Sequence, residues 1–273
     1  YIENGCQYCH TQYVRRSDWG PMAERVSQPG DYYMDRPQLL GSERSGPDLS
    51  QEGGQHTDDW HKAHFINPRT IRPESIMPPF DFIREIDERD FRALIAYVQS
   101  LGGIDAVDRM RRQEQWQERA LEAYRAGPDE NVRWIHENIP AGWRTVPNPY
   151  QATEASLARG ERIYMQNCIG CHGPVGDGLG PAWHYLDPVP LNFTTLRRAA
   201  ETTGYPVSGG ILYYQIMNGI TGTAMPYFAH ELESEKIWDV SNYLMVYFIS
   251  GVEGGTDGQA INASHEPLQG GER

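Results

Sequence analysis

The sequence predicts a mainly α protein made of two similar units joined by a partly helical linker. Three observations predict this: one short cysteine motif occurs twice, each copy is followed downstream by a Met-Pro loop and an amphipathic run, and 273 residues suit two compact domains of roughly 100 to 150 residues each. The units are drawn at residues 1–103 and 151–250, with a helical linker at 104–150 and a Gly-rich, apolar-poor tail at 251–273 that reads as flexible.

A charged fraction of 22% and a mean hydropathy of -0.63 are those of a globular chain able to bury a core. The formal charge of -13 argues against nucleic acid as a partner, because phosphate binding rests on clustered Lys and Arg. The acidic excess is greatest in residues 151–273, where 13 Asp and Glu face 6 Lys and Arg. Such a surface suits a basic protein partner. The longest clear apolar run, 243–249, falls far short of the roughly 18 residues needed to span a bilayer.

All four cysteines fall in the motif, as Cys6-Gln7-Tyr8-Cys9-His10 and Cys168-Ile169-Gly170-Cys171-His172. C-x-x-C-H is the haem attachment signature: two thiols one turn apart can form thioethers to the vinyl groups, and the adjacent His then points at the iron. A disulfide or a zinc site would not explain why His follows the second Cys both times. A thioredoxin-like pair would sit in a βαβ context, which neither copy has. The expected cofactors are therefore two covalently bound haem c groups.

Small electron carriers usually take their second axial ligand from a downstream Met. The candidates are Met77 in Pro73-Glu74-Ser75-Ile76-Met77-Pro78 and Met225 in Thr223-Ala224-Met225-Pro226, giving His10/Met77 and His172/Met225 pairs. Rival donors are His56, His61 and His64 in the first unit, which would give a bis-His haem, and Met217 and His184 in the second. The other ring nitrogen of an axial His normally donates to a carbonyl; Pro47 and Pro181 are the candidates.

Helical periodicity with acids in the first turn predicts helices over Thr57 to Ile66, Asp87 to Val98 and Ser234 to Leu244, with Thr153 to Asn167 before the second motif. Only Tyr1-Ile2-Glu3-Asn4-Gly5 precedes the first motif. The expectation is that a membrane anchor lies upstream of Tyr1. Residues 105–125 read as a charged helix broken at Gly127-Pro128, and Trp116, Trp134 and Trp143 suggest that the linker docks.

Residues 1–103 resemble the membrane-anchored monohaem cytochrome c subunit of cbb-type haem-copper oxidases. The resemblance rests on the first motif, Gly41-Ser42-x-Arg44-x-Gly46-Pro47-Asp48-Leu49, Trp60-His61-x-x-His64, Asn67-Pro68-Arg69 and Pro73-Glu74-Ser75-x-Met77-Pro78. It implies His10/Met77 ligation, an N-terminal transmembrane anchor, and Arg44 and Arg69 as contacts to the haem propionates. Residues 152–250 resemble a class I cytochrome c through Gly160-Glu161-x-Ile163-Tyr164, the second motif, Asp177-Gly178-x-Gly180-Pro181 and Ala224-Met225-Pro226. The fold class expected is thus mainly α, with two class I cytochrome c domains.

The function expected is single-electron transfer in a respiratory chain, on the periplasmic side of a bacterial inner membrane. The expected partner is a membrane-bound haem-copper terminal oxidase or nitric oxide reductase, to which the chain belongs or donates. A dihaem peroxidase or sulfur-compound dehydrogenase is the alternative. It would require one iron with an open or displaceable sixth position.

Overall fold

The computed structural model describes residues 1–15 and 26–250, and the 251–273 tail lies outside them. Its helices are α1 (Asp58–Ile66), α2 (Asp81–Ile86), α3 (Glu88–Gln99), α4 (Gly103–Ala126), α5 (Pro128–Asn138), α6 (Glu154–Asn167), α7 (Ile169–His172), α8 (Leu196–Thr203), α9 (Gly209–Asn218) and α10 (Ser234–Leu244), joined by loops and short 3-10 turns, with no strand among the described residues.

The helix starts follow from side chains that occupy orphaned backbone N–H groups. Thr57, Asp87 and Thr153 are extended residues whose side chains accept from Trp60, Arg89 and Ser156 backbone N–H groups, starting α1, α3 and α6. The first core follows from spacing: Phe91, Leu94, Ile95 and Val98 occupy one face of α3 and bury against Phe65, Phe80 and Ile83. Tyr1 packs on Tyr97 with ring centroids 5.0 Å apart, as Tyr164 packs on Tyr243 at 5.5 Å in the second unit.

In the second unit α6 lies against α10 over much of its length. A buried polar knot holds the pair. The Asp239 carboxylate, 2% exposed, accepts from Arg159 Nε and from Ser156 Oγ, each at 2.6 Å, and Asn242 Nδ2 donates to Ser156 Oγ at 3.1 Å. A larger apolar core formed by α5, α6, α8, α9 and α10 surrounds this pair.

Residues 104–150 do not stand apart from the two units. Arg109 in the first half of α4 donates to the Gly53 and Gln51 carbonyls at 2.7 Å, while Gln113 Oε1 accepts from the Gly222 N–H at 2.6 Å. The second half supplies Ala120 and Ala123 to the second core, which Val132, Trp134 and Ile135 of α5 complete. Tyr124 of α4 joins them, packing on Trp134 with ring centroids 6.1 Å apart.

The two units meet through Ala63 and Ile71 of the first and Ala182, Leu186 and Ala224 of the second, one apolar cluster edged by Trp60, Cys171 and Tyr185. Polar contacts frame it: the Asp187 N–H donates to Asp59 at 2.9 Å, Tyr227 Oη donates to Gln55 at 2.6 Å, and Arg72 pairs with Glu231. Gly170, inside the second cysteine motif, sits so close to the first unit that a Cβ there would overlap the Ile71 carbonyl oxygen. Glycine is what permits this approach.

Candidate haem-binding site

In the first motif the chain makes one 3-10 turn at Cys6–Tyr8, and the Cys9 and His10 N–H groups both donate to the Cys6 carbonyl. The turn brings the two thiols to one side with His10 directly after them. The structure places the Pro47 carbonyl oxygen 2.8 Å from His10 Nδ1. Gly46 lies against the imidazole, where any side chain would collide with the ring. Arg44 holds this loop: its guanidinium donates to Thr11 Oγ1 and the Tyr13 carbonyl at 2.7 Å, and to Asp48 at 3.1 Å.

Met77 and its rivals all line the same space. Its sulfur lies 3.1 Å from His64 Nε2, and His64 stacks on Trp60 at 4.7 Å. Burial, reinforced by the neighbouring His61 and His56, pushes the His64 pKa down to about 3, so the ring is neutral at physiological pH. His64 is thus a second donor suited to iron beside Met77. Glu52, which burial alone would push up, is held well below the ordinary carboxylate range by His56 and His61.

In the second motif α7 carries Cys171 and His172, and the His172 N–H donates to the Cys168 carbonyl at 2.9 Å. The carbonyl facing His172 Nδ1 is that of Leu191, at 3.2 Å, rather than that of Pro181. The reason is local. The Gly180 and Ala182 N–H groups donate to the Cys171 and Gly170 carbonyls, tying the Pro181 loop to the backbone of the motif while the 190–193 segment reaches the ring. Phe193 completes the seat by stacking on His172 at 4.4 Å. Burial lowers the His172 pKa to about 4 against the opposing hydrogen bond to the Leu191 carbonyl, and raises both Cys168 and Cys171 to about 12.

Met225 lines the cavity, anchored by its own N–H to Thr223 Oγ1 at 3.1 Å and by its carbonyl, which accepts from Ile220 at 3.1 Å. Met217 and His184 are outside the lining. Arg69 is exposed and also outside it, because α1 ends at Asn67 and the following turn aims residue 69 to solvent. Arg72, three residues on, takes the wall position and pairs with Glu231 across the units.

Cys6, Cys9, His10 and Met77 share one continuous cavity of about 1130 Å³ with Cys168, Cys171, His172 and Met225. That exceeds the roughly 300 to 1,000 Å³ of a single small-molecule pocket. The donor chemistry fits covalent haem: paired thiols at turn spacing, an imidazole with its far nitrogen on a carbonyl, and a thioether in the same lining. Burial, which favours the protonated Cys168 and Cys171 thiols, also argues against a reactive thiolate pair in the second motif.

Fold and site together define a c-type cytochrome. Residues 1–90 match the model of the cytochrome c oxidase mono-heme subunit, FixO, and residues 155–244 match that of cytochrome c oxidase, cbb3-type, subunit III. Cytochrome c6 of Thermosynechococcus vestitus is 34% identical over 94 residues, covering 34% of this chain and 72% of that protein. Cytochrome c6 of Parathermosynechococcus lividus is 34% identical over 91 residues, covering 33% of this chain and 90% of that protein. A solved Kuenenia stuttgartiensis reducing HAO-like protein complex overlaps at a TM-score of 0.30 with 23% identity, covering 69% of this chain and 71% of the other. The chain belongs to the class I cytochrome c family, and electron transfer is the work of such domains.

Proposed function

We propose that the chain is a dihaem electron carrier of a respiratory chain, working on the periplasmic side of a bacterial inner membrane. It serves as a subunit of, or donor to, a membrane-bound haem-copper oxidase or nitric oxide reductase. The observation that carries this reading is the single cavity lined by both cysteine motifs and both Met-Pro loops. Cys6 and Cys9 would hold one haem c, and Cys168 and Cys171 the other, with His10/Met77 and His172/Met225 as axial pairs. Bound there, haem supplies reversible one-electron iron chemistry.

The chain's residues set the conditions for that chemistry. The Pro47 and Leu191 carbonyls each accept a ring N–H, which fixes the tautomer and leaves the opposite nitrogen of His10 and His172 as the donor. Phe193 and Gly46 hold the two imidazoles in place by stacking and by close contact. Thioether ligation in an apolar seat favours a high potential, suited to the oxidising end of a chain. No side chain is needed as acid, base or nucleophile. The match of both ends to cbb3-type oxidase subunit models supports an oxidase as partner, and the charge of -13 suits a basic docking surface.

A redox titration of the holoprotein, followed through the near-infrared Met-to-iron band and repeated under carbon monoxide, tests this. Two Met-ligated centres indifferent to carbon monoxide are expected. Rapid carbon monoxide binding to either reduced centre would overturn the carrier reading in favour of catalysis.

A further inference from the structure

Between the haem motif and α1, the wall of the first unit carries a cluster that electron transfer does not require. Glu52, His56 and His61 bring one carboxylate and two imidazoles so close that their donor atoms all lie within 4.8 Å. Glu52 Oε1 is 2.5 Å from His56 Nδ1 and 3.1 Å from His61 Nε2, and the three side chains are only 12%, 18% and 2% exposed. His61 Nδ1 lies 3.1 Å from the Thr57 carbonyl. That carbonyl can only accept, so Nδ1 carries the hydrogen and Nε2 is the ring atom turned toward the carboxylate. At 3.1 Å the nitrogen and the carboxylate oxygen are bridged by a positive species, a proton or a metal ion.

The surroundings hold the cluster rigid. Trp60 stacks on His56 at 3.8 Å and meets His61 edge-on at 5.4 Å. Gln99 Nε2 donates to the His56 carbonyl at 3.0 Å, and Thr57 caps the helix that carries His61. All three donors also line the cavity, which leaves a side open for water as a further ligand. Two imidazoles and one carboxylate with an open position form a donor set suited to zinc-class ions.

We propose that Glu52, His56 and His61 form a binding site for one divalent transition-metal ion, of which zinc is the representative, in the wall of the first half of the cavity. Two added positive charges in that wall favour electron gain nearby, so metal occupancy becomes a control on electron flow through the first unit.

The test is zinc titration of the dialysed holoprotein by calorimetry, with zinc and iron counted in the same sample by mass spectrometry. One zinc per chain is expected, with affinity falling about a hundredfold in Glu52→Gln and in His56→Gln. His184→Ala, outside the cavity, should leave binding unchanged. Unaltered iron content and visible spectrum identify variants that remain folded and loaded. A rise in the potential of one centre on zinc addition, lost in Glu52→Gln, is the second readout. Refusal of zinc by the parent protein means that a proton fills the gap, and this overturns the proposal. Undiminished uptake by both folded variants overturns it equally.

Discussion

At the scale of residues, the two halves differ in what stands beside the methionine. Met225 has neither Met217 nor His184 beside it in the lining, whereas Met77 shares its place with a neutral His64 at 3.1 Å. Met225→Ala is therefore expected to lose its share of the near-infrared band and bind carbon monoxide. Met77→Ala is expected to lose its share of the band yet resist carbon monoxide, with a lower potential, because His64 can take the sixth position. Adding His64→Ala should open it; visible and near-infrared spectra under carbon monoxide check all three. The two C-x-x-C-H motifs were legible in the sequence because their spacing is local. The Leu191 carbonyl and the Arg72 wall position were not, since which carbonyl or guanidinium faces inward depends on how a loop is tied down several residues away.

Among the elements, capping chemistry made the helices readable: Thr57, Asp87 and Thr153 mark starts within a residue of where the sequence placed them. The docking of α4 and α5 was visible in the three tryptophans and in Met110, Leu121 and Tyr124, of which Tyr124 packs on the second core. Alanine contacts such as Ala120 and Ala123 leave little trace in a hydrophobic pattern. The α6–α10 pair depends on a feature that no pattern displays, the buried Asp239 with its three-part hydrogen-bond network. Asp239→Ala should destabilise the second unit by about 3 kcal/mol, the low end for breaking a buried pair, because Arg159 keeps access to water. Urea denaturation followed by a chromophore of the second unit measures it, and a loss under about 1 kcal/mol would show the pair to be marginal.

For the whole molecule, the interface of the units could not be read from the sequence, since Ile71, Ala182 and Ala224 come together only once both halves have folded. Its framing ion pair makes closure sensitive to acid. Burial opposes the shift, but His230 and Arg72 draw Glu231 down from 4.5 to about 2. A depressed carboxylate stabilises the closed form above its ordinary pKa, and that contribution fades as pH falls from about 4.5 toward 2. Small-angle scattering should show the particle loosening over that range, and Glu231→Gln should weaken the pH dependence while making the protein looser at neutral pH. The contact of Gly170 with the Ile71 carbonyl has one more consequence, for biogenesis. After closure the first unit covers one side of the Cys168–His172 segment, which narrows access to the thiols. Cofactor attachment to the second half is therefore expected to be easier before the units dock than after.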